Sequence, residues 1–230
     1  MSVLLVTGTD TGVGKTVVTA ALVVVARASG GSPYVVKPAQ TGVSPDEPGD
    51  IDDVRRLVGD VPATEGFRLR EPLAPDTAAR LEGVALPTLQ LQRDLILKAH
   101  EDADPVIVEG AGGILVHLGD TFDLLDLAGA VQTAGTRTSF VVVARAGLGT
   151  LNHTALTVRA IQDRGLTVDG IVIGSWPADP DLAAEQNLRD LPLVTGVPLL
   201  GRVPEGSGRL AQQGFLSGAP GWFSLEGLDD

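Results

Sequence analysis

A chain of 230 residues, 43% hydrophobic and 20% charged, is long enough for one large α/β domain and apolar enough to bury a sizeable core. Its formal charge of −12 repels nucleic-acid phosphates and anionic lipid, which sets both aside as partners, yet a small phosphorylated ligand can still be held by local N–H groups and a few lysines. Cysteine is absent, which removes disulfides, thiolate nucleophiles and Cys-ligated metals and fits a cytoplasmic protein.

With aromatics at 3%, the core must be Val, Leu, Ile and Ala, as buried parallel strands between helices require. No basic leader precedes Val3, so no signal peptide is expected. Val3–Val6 reads as a buried strand that stops at Gly8. Lys15 to Ala28 is a helical pattern ending near Gly30. Its longest apolar run, Val17 to Ala26, is too short to span a bilayer and reads as a core helix. Tyr34–Lys37 is the next strand, stopped by Pro38. Residues 42–50 form a loop rich in Pro, Gly and Asp. Ile51, Val54, Leu57 and Val58 then repeat at helical spacing.

Residues 59–88 hold many Pro and Gly and carry the weakest signal. Leu89 to Ala99 returns to helix, and Pro105–Glu109 is a strand running into Gly110, Ala111, Gly112 and Gly113. Leu124 to Ala134 is helix, Ser139 to Ala144 strand, Leu151 to Asp163 helix and Val168 to Ile173 strand. Pro198 to Val203 is a last short strand. The alternation predicts an α/β fold: one domain over 1–230, a parallel sheet with helices on both faces, like a P-loop NTPase. The Gly-rich residues from about Gly206 are expected to be loosely held.

Five segments carry chemistry. Gly8 to Thr16 lies between a strand and a helix, the context a P-loop needs. Glycines let successive N–H groups face one phosphate, and the helix N-terminus adds positive potential. Lys15 can reach the β- and γ-phosphates and Thr16 can ligate Mg²⁺. The strict pattern wants glycine where Thr9 stands; here it is Gly8, so the loop is a lengthened variant. Lys37, at the end of the second strand, can neutralise an anionic substrate or a migrating phosphoryl group, or it can be a snorkelling strand-end lysine. Glu109, at another strand end, offers a second Mg²⁺ contact; the alternative is a tight turn with an exposed carboxylate. Asp50, Asp52 and Asp53 can supply a metal ligand or simply decorate a helix N-terminus. The segment Gly147 to Thr154 follows a strand and starts a helix whose free N–H groups can hold a carboxylate.

Taken in order, five motifs make the chain resemble the dethiobiotin synthetase family. They are Val-Thr-Gly-Thr-Asp-Thr-Gly-Val-Gly-Lys-Thr at 6–16, Lys-Pro-Ala-Gln-Thr-Gly at 37–42 and Val-Glu-Gly-Ala-Gly-Gly at 108–113, then Leu-Gly-Thr-Leu-Asn-His-Thr at 148–154 and Leu-Leu-Gly-Arg-Val-Pro at 199–204. The resemblance implies ATP- and Mg²⁺-dependent ring closure of 7,8-diaminopelargonate with CO2, through a carbamate and a carbamic-phosphoric anhydride, to dethiobiotin. It implies catalytic roles for Lys37, Lys15 and Thr11. Nucleotide would be bound by Gly12, Val13, Gly14, Lys15, Thr16, Val17, Asp50, Glu109, Gly110, Ala111, Gly112, Gly174, Ser175, Pro204, Glu205 and Gly206. Mg²⁺ would fall to Thr16, Glu109 and Asp50, the aspartate that the family's loop-then-helix pattern selects. Substrate would meet Thr41, and also Gly149, Thr150, Leu151 and Asn152 of a second subunit in a homodimer.

The chain departs from the family in two places. Gly12 stands where many members carry Glu, and Gly174-Ser175 where many carry Asn-Asp. That Asn reads the adenine edge, so relaxed base selectivity is expected, with CTP or other triphosphates accepted. The main rival is a regulatory or partition ATPase of the deviant Walker type. It usually has a further Lys early in the P-loop, absent from Thr9 to Val13 here. An amide-forming synthetase domain and a nucleotide sensor are weaker alternatives.

Overall fold

The computed structural model describes residues 2–223. The strands are β1 (Ser2–Gly8), β2 (Tyr34–Gln40), β3 (Ala63–Arg68), β4 (Val106–Gly113), β5 (Arg137–Ala144), β6 (Thr167–Trp176) and β7 (Leu199–Pro204). The helices are α1 (Lys15–Ala28), α2 (Asp50–Val58), α3 (Pro75–Glu82), α4 (Leu89–Glu101), α5 (Leu124–Thr133), α6 (Thr150–Gln162), α7 (Leu182–Thr195) and α8 (Gln212–Gly218). The strands form one seven-stranded sheet in the order β3-β2-β4-β1-β5-β6-β7, parallel throughout.

Alternate strand residues feed two separate cores, as a sheet covered on both faces demands. Val3, Leu5, Val106, Val108, Phe140, Val142, Ile171 and Ile173 pack against α4, α5, α6 and α7. Val6, Ile107, Val141, Val143 and Val172 pack against α1, α2 and α8. The expected strands and helices all occur, although β2 runs through Pro38 to Gln40 instead of stopping at the proline. Among the described residues, no helix is long and apolar enough to cross a membrane.

Three elements lie where the sequence offered no pattern. β3 reads Ala-Thr-Glu-Gly-Phe-Arg, is only partly buried along its length and, among the described residues, pairs with β2 alone. As an edge strand it needs no apolar run. α3 starts on Pro75 and stops at the left-handed Gly83, so its few residues sit inside a Pro- and Gly-rich stretch. α7 contains Pro192 and buries only Ala184, Asn187 and Leu191, too thin a stripe to read as amphipathic.

β4 also runs on to Gly113, past the turn expected at Gly110. A register shift lets Gly8 pair with Gly113 after Val6 has paired with Glu109. The Gly-rich stretch after Val203 forms short turns and α8, and buries Phe215, Ala219 and Phe223 in the second core. Phe215 meets Trp222 edge-on, with ring centroids 5.1 Å apart. Residues 224–230 of the expected tail lie outside the described residues.

Candidate active site

Parallel strands place all their C-terminal turns on one side of the sheet, where ligands of open α/β folds bind. A cavity of about 550 Å³ lies there, at the ends of β1, β2 and β4.

The P-loop is held from below and from the side. Thr9 N–H donates to the Val143 carbonyl at 3.0 Å. The Asp10 carboxylate accepts the Thr11 N–H at 2.7 Å and pairs with Arg145 at 2.5 Å. Gly14 caps α1 at φ 100, a conformation that strains any side chain, and a Cβ there would meet the Gly174 carbonyl oxygen at 2.5 Å. A Cβ on Gly174 would in turn run into the Val13 carbonyl. The two glycines therefore let the loop rest on the end of β6. Among the described residues, the N–H groups of Gly12, Val13 and Gly14 find no acceptor; these are the donors a phosphate would take. The Lys15 ammonium donates to the Asp10 carbonyl at 3.0 Å. Burial, then the charge of Lys37, lowers its pKa to about 8, against the opposing pull of Glu109, Asp50 and Asp10.

Beside the P-loop, side chains from four elements converge. Lys37 Nζ, on β2, lies 2.5 Å from Asp50 Oδ2, at the start of α2, and donates to Glu109 Oε1, on β4, at 2.9 Å. It also donates to the Gly110 carbonyl at 3.3 Å. The Thr16 hydroxyl, on α1, donates to the same Glu109 Oε1 at 2.8 Å. The Lys37 and Glu109 side chains are 5% and 2% exposed, so little water screens them. Burial alone would lower the Lys37 pKa, but Glu109 and Asp50 outweigh it and hold the ammonium charged. Burial would likewise raise the Asp50 carboxyl, and Lys37 outweighs it, keeping that pKa low.

Of the three clustered aspartates, only Asp50 reaches this group. Asp52 turns back to accept the Gly49 N–H at 2.8 Å, and Asp53 pairs with Arg56 at 2.9 Å. What aims Asp50 is Gln40, whose Oε1 accepts the Asp50 N–H at 2.9 Å and ties the end of β2 to the start of α2. Nothing in the sequence marked Gln40 for that task.

The cavity brings together Thr11, Gly12, Gly14, Lys15, Thr16, Val17, Lys37, Thr41, Asp50, Glu109, Ala111 and Gly112. Val13 is buried beneath the loop, and Gly110 contributes its carbonyl to Lys37. The loop Pro72-Leu73-Ala74-Pro75 and Val116 also line the cavity. They were not identified from sequence, because apolar and Pro residues carry no chemical signature of their own.

Other expected residues lie outside this cavity. Gly174 and Ser175 end β6; Pro204, Glu205 and Gly206 follow at the end of β7, joined to it by Glu205 N–H donating to the Trp176 carbonyl at 2.7 Å. A Cβ on Gly208, just beyond them, would come within 3.0 Å of Val17 near the start of the P-loop helix. Gly149, Thr150, Leu151 and Asn152 open α6, and none of them lines the cavity of its own chain.

A family model described as an AAA domain matches residues 2–208. The ATP-dependent dethiobiotin synthetase BioD of Rhodococcus jostii is 56% identical, over 97% of this chain and 95% of its own. The protein of the same name from Streptomyces avermitilis is 50% identical, over 97% and 92%. Among solved structures, the septum site-determining protein MinD of Pyrococcus horikoshii, complexed with Mg-ADP, has a TM-score of 0.55 at 17% identity, covering 100% of this chain and 98% of its own. Apo McdA of Cyanthece has a TM-score of 0.54 at 12% identity, covering 95% and 90%. Those two likenesses extend to the fold alone.

Proposed function

This chain belongs to the ATP-dependent dethiobiotin synthetases, ligases of biotin biosynthesis, and from that premise we propose how its own residues carry the reaction. The observation that carries the reading is the convergence of Lys15, Thr16, Lys37, Asp50 and Glu109 in one cavity with Thr41 and the loop Pro72–Pro75.

One amine of 7,8-diaminopelargonate takes up CO2 as a carbamate and releases a proton. A carbamate oxygen attacks the γ-phosphorus of ATP, and ADP leaves with the bonding electron pair. The second amine then attacks the carbonyl carbon of the carbamic-phosphoric anhydride, expels phosphate and closes a cyclic urea. Bringing carbamate and triphosphate together concentrates negative charge. Lys15 and Lys37 supply the offsetting positive charge, and Thr11 lines the phosphate side.

Thr16, Asp50 and Glu109 offer an all-oxygen donor set suited to a hard cation, and the Lys37 ammonium stands among them. Mg²⁺ held there would neutralise the β- and γ-phosphate oxygens. Residues 12–17 and 110–112 cradle the phosphates. Gly174, Ser175 and Pro204–Gly206 surround the base. Gly174 offers the base edge only backbone groups, so base selection is relaxed and CTP is accepted. Competition binding of ATP and CTP tests this: a clear preference for ATP counts against it. Thr41 holds the carbamate side. The N–H groups at Gly149–Asn152 of a second subunit hold the substrate carboxylate, in a homodimer.

The test is phosphate release from ATP, Mg²⁺ and bicarbonate, with and without 7,8-diaminopelargonate. Release that depends on the diamine, with a cyclic urea seen by mass spectrometry, is the expected result. Release indifferent to the diamine would move the reading to a regulatory ATPase.

A further inference from the structure

Lys37 and the proposed metal ligands claim the same place. An ammonium has three N–H bonds and no acceptor capacity. Those of Lys37 are directed to Asp50 Oδ2 at 2.5 Å, Glu109 Oε1 at 2.9 Å and the Gly110 carbonyl at 3.3 Å. None remains for a phosphoryl or carbamate oxygen. Glu109 Oε1 also takes the Thr16 hydroxyl, so every proposed metal ligand is already engaged around one buried positive charge.

Two cations cannot occupy this group at once. The carboxylates that would attract a divalent ion are shared with the ammonium, and repulsion between the two cations is poorly screened where Lys37 and Glu109 are 5% and 2% exposed. The ammonium cannot simply leave either, because Asp50 and Glu109 would then face each other with no counter-charge. An exchange is favourable only when a metal replaces the ammonium and a new anion receives it. A nucleotide supplies both conditions, adding phosphate oxygens to the metal and a partner for the displaced lysine.

From the convergence of Thr16, Asp50 and Glu109 on one ammonium, we infer that Lys37 is the resident counter-ion of the metal site, displaced when metal and nucleotide bind together. This rests on the metal-site reading above. It makes Lys37 available to the reacting anions only after nucleotide arrives, and it couples metal to nucleotide reciprocally, as any linkage must. No proton is lost in the exchange; Lys37 moves as an ammonium.

Mn²⁺, followed by paramagnetic resonance in the full-length protein, is the probe. The wild type should bind Mn²⁺ weakly alone and about tenfold or more tightly with ADP. Lys37→Gln should bind Mn²⁺ without nucleotide about tenfold more tightly than the wild type, and Lys37→Arg, which keeps the charge, should not. If ADP tightens Mn²⁺ binding but Lys37→Gln alone binds no better than the wild type, the exchange is overturned and the metal site stands. If Mn²⁺ does not bind even with ADP, or Asp50→Asn leaves binding unchanged, the metal-site reading falls and takes the exchange with it. A crystal structure of the wild type with ADP and Mg²⁺ decides the matter without a variant. Lys37 out of contact with Asp50 supports the exchange; Lys37 still bonded to both carboxylates beside a bound metal overturns it.

Discussion

At the scale of single residues, the buried charges set the strongest expectations. Lys37→Ala removes the cation that the proposed mechanism sets against the reacting anions and leaves Glu109, 2% exposed, without its ion-pair partner. Turnover should fall about 10²-fold or more while nucleotide still binds, and the fold should lose about 3 kcal/mol. Steady-state kinetics, calorimetric nucleotide titration and urea unfolding read the three effects separately; unchanged turnover would remove Lys37 from the mechanism. Lys15 sets a pH limit. Burial and the neighbouring Lys37 hold its free-state pKa at about 8, and bound phosphates favour the charged form and raise it. Nucleotide affinity should therefore be level below pH 8 and weaken above it, by at most about tenfold per pH unit. Dissociation constants measured from about pH 7 to about pH 9.5 check the slope; a flat profile would mean Lys15 stays charged throughout. Both lysines were identifiable from sequence because the chemistry of each follows from its type and place, a P-loop and a strand end. Their mutual arrangement was not, since the 2.5 Å approach of Lys37 to Asp50 joins residues on separate elements through a third residue, Gln40.

At the scale of elements, the sequence was readable wherever burial on both faces forced an apolar run. β1, β4, β5 and β6 pack against both cores, and their Val and Ile runs have no other explanation. β3, α3 and α7 escaped because an edge strand, a short helix begun by proline and a helix with few buried residues need little apolar patterning. The stretch after Val203 makes the same point from the other side. Its composition suggests a loose tail, yet Phe215 is fully buried in the second core. Phe215→Ala should cost about 3–5 kcal/mol, seen as a lower urea midpoint. A cost under about 1 kcal/mol would show that α8 contributes little to the fold.

At the scale of the whole molecule, the proposed homodimer carries the substrate-binding scheme. Gly149–Asn152 do not line their own chain's cavity, and Leu115, Leu148 and Leu156 leave 63%, 93% and 58% of their surfaces uncovered in one chain. Sedimentation equilibrium should give twice the 23.7 kDa of one chain. A monomer that still saturates with diaminopelargonate would break the assignment of those residues to a partner.

Sequence alone determined the fold class, the P-loop and the family, and it singled out most of the charged residues that line the candidate cavity. These are properties of local pattern and residue type: an apolar strand, a glycine turn, a lysine at a helix start. Tertiary structure decided which of three aspartates joins the cluster, that Gln40 aims it and that a proline-rich loop lines the cavity. It also decided that Gly14 and Gly174 are needed by each other. Those outcomes depend on distances between segments far apart in the chain, which strand order and register fix and local pattern does not encode.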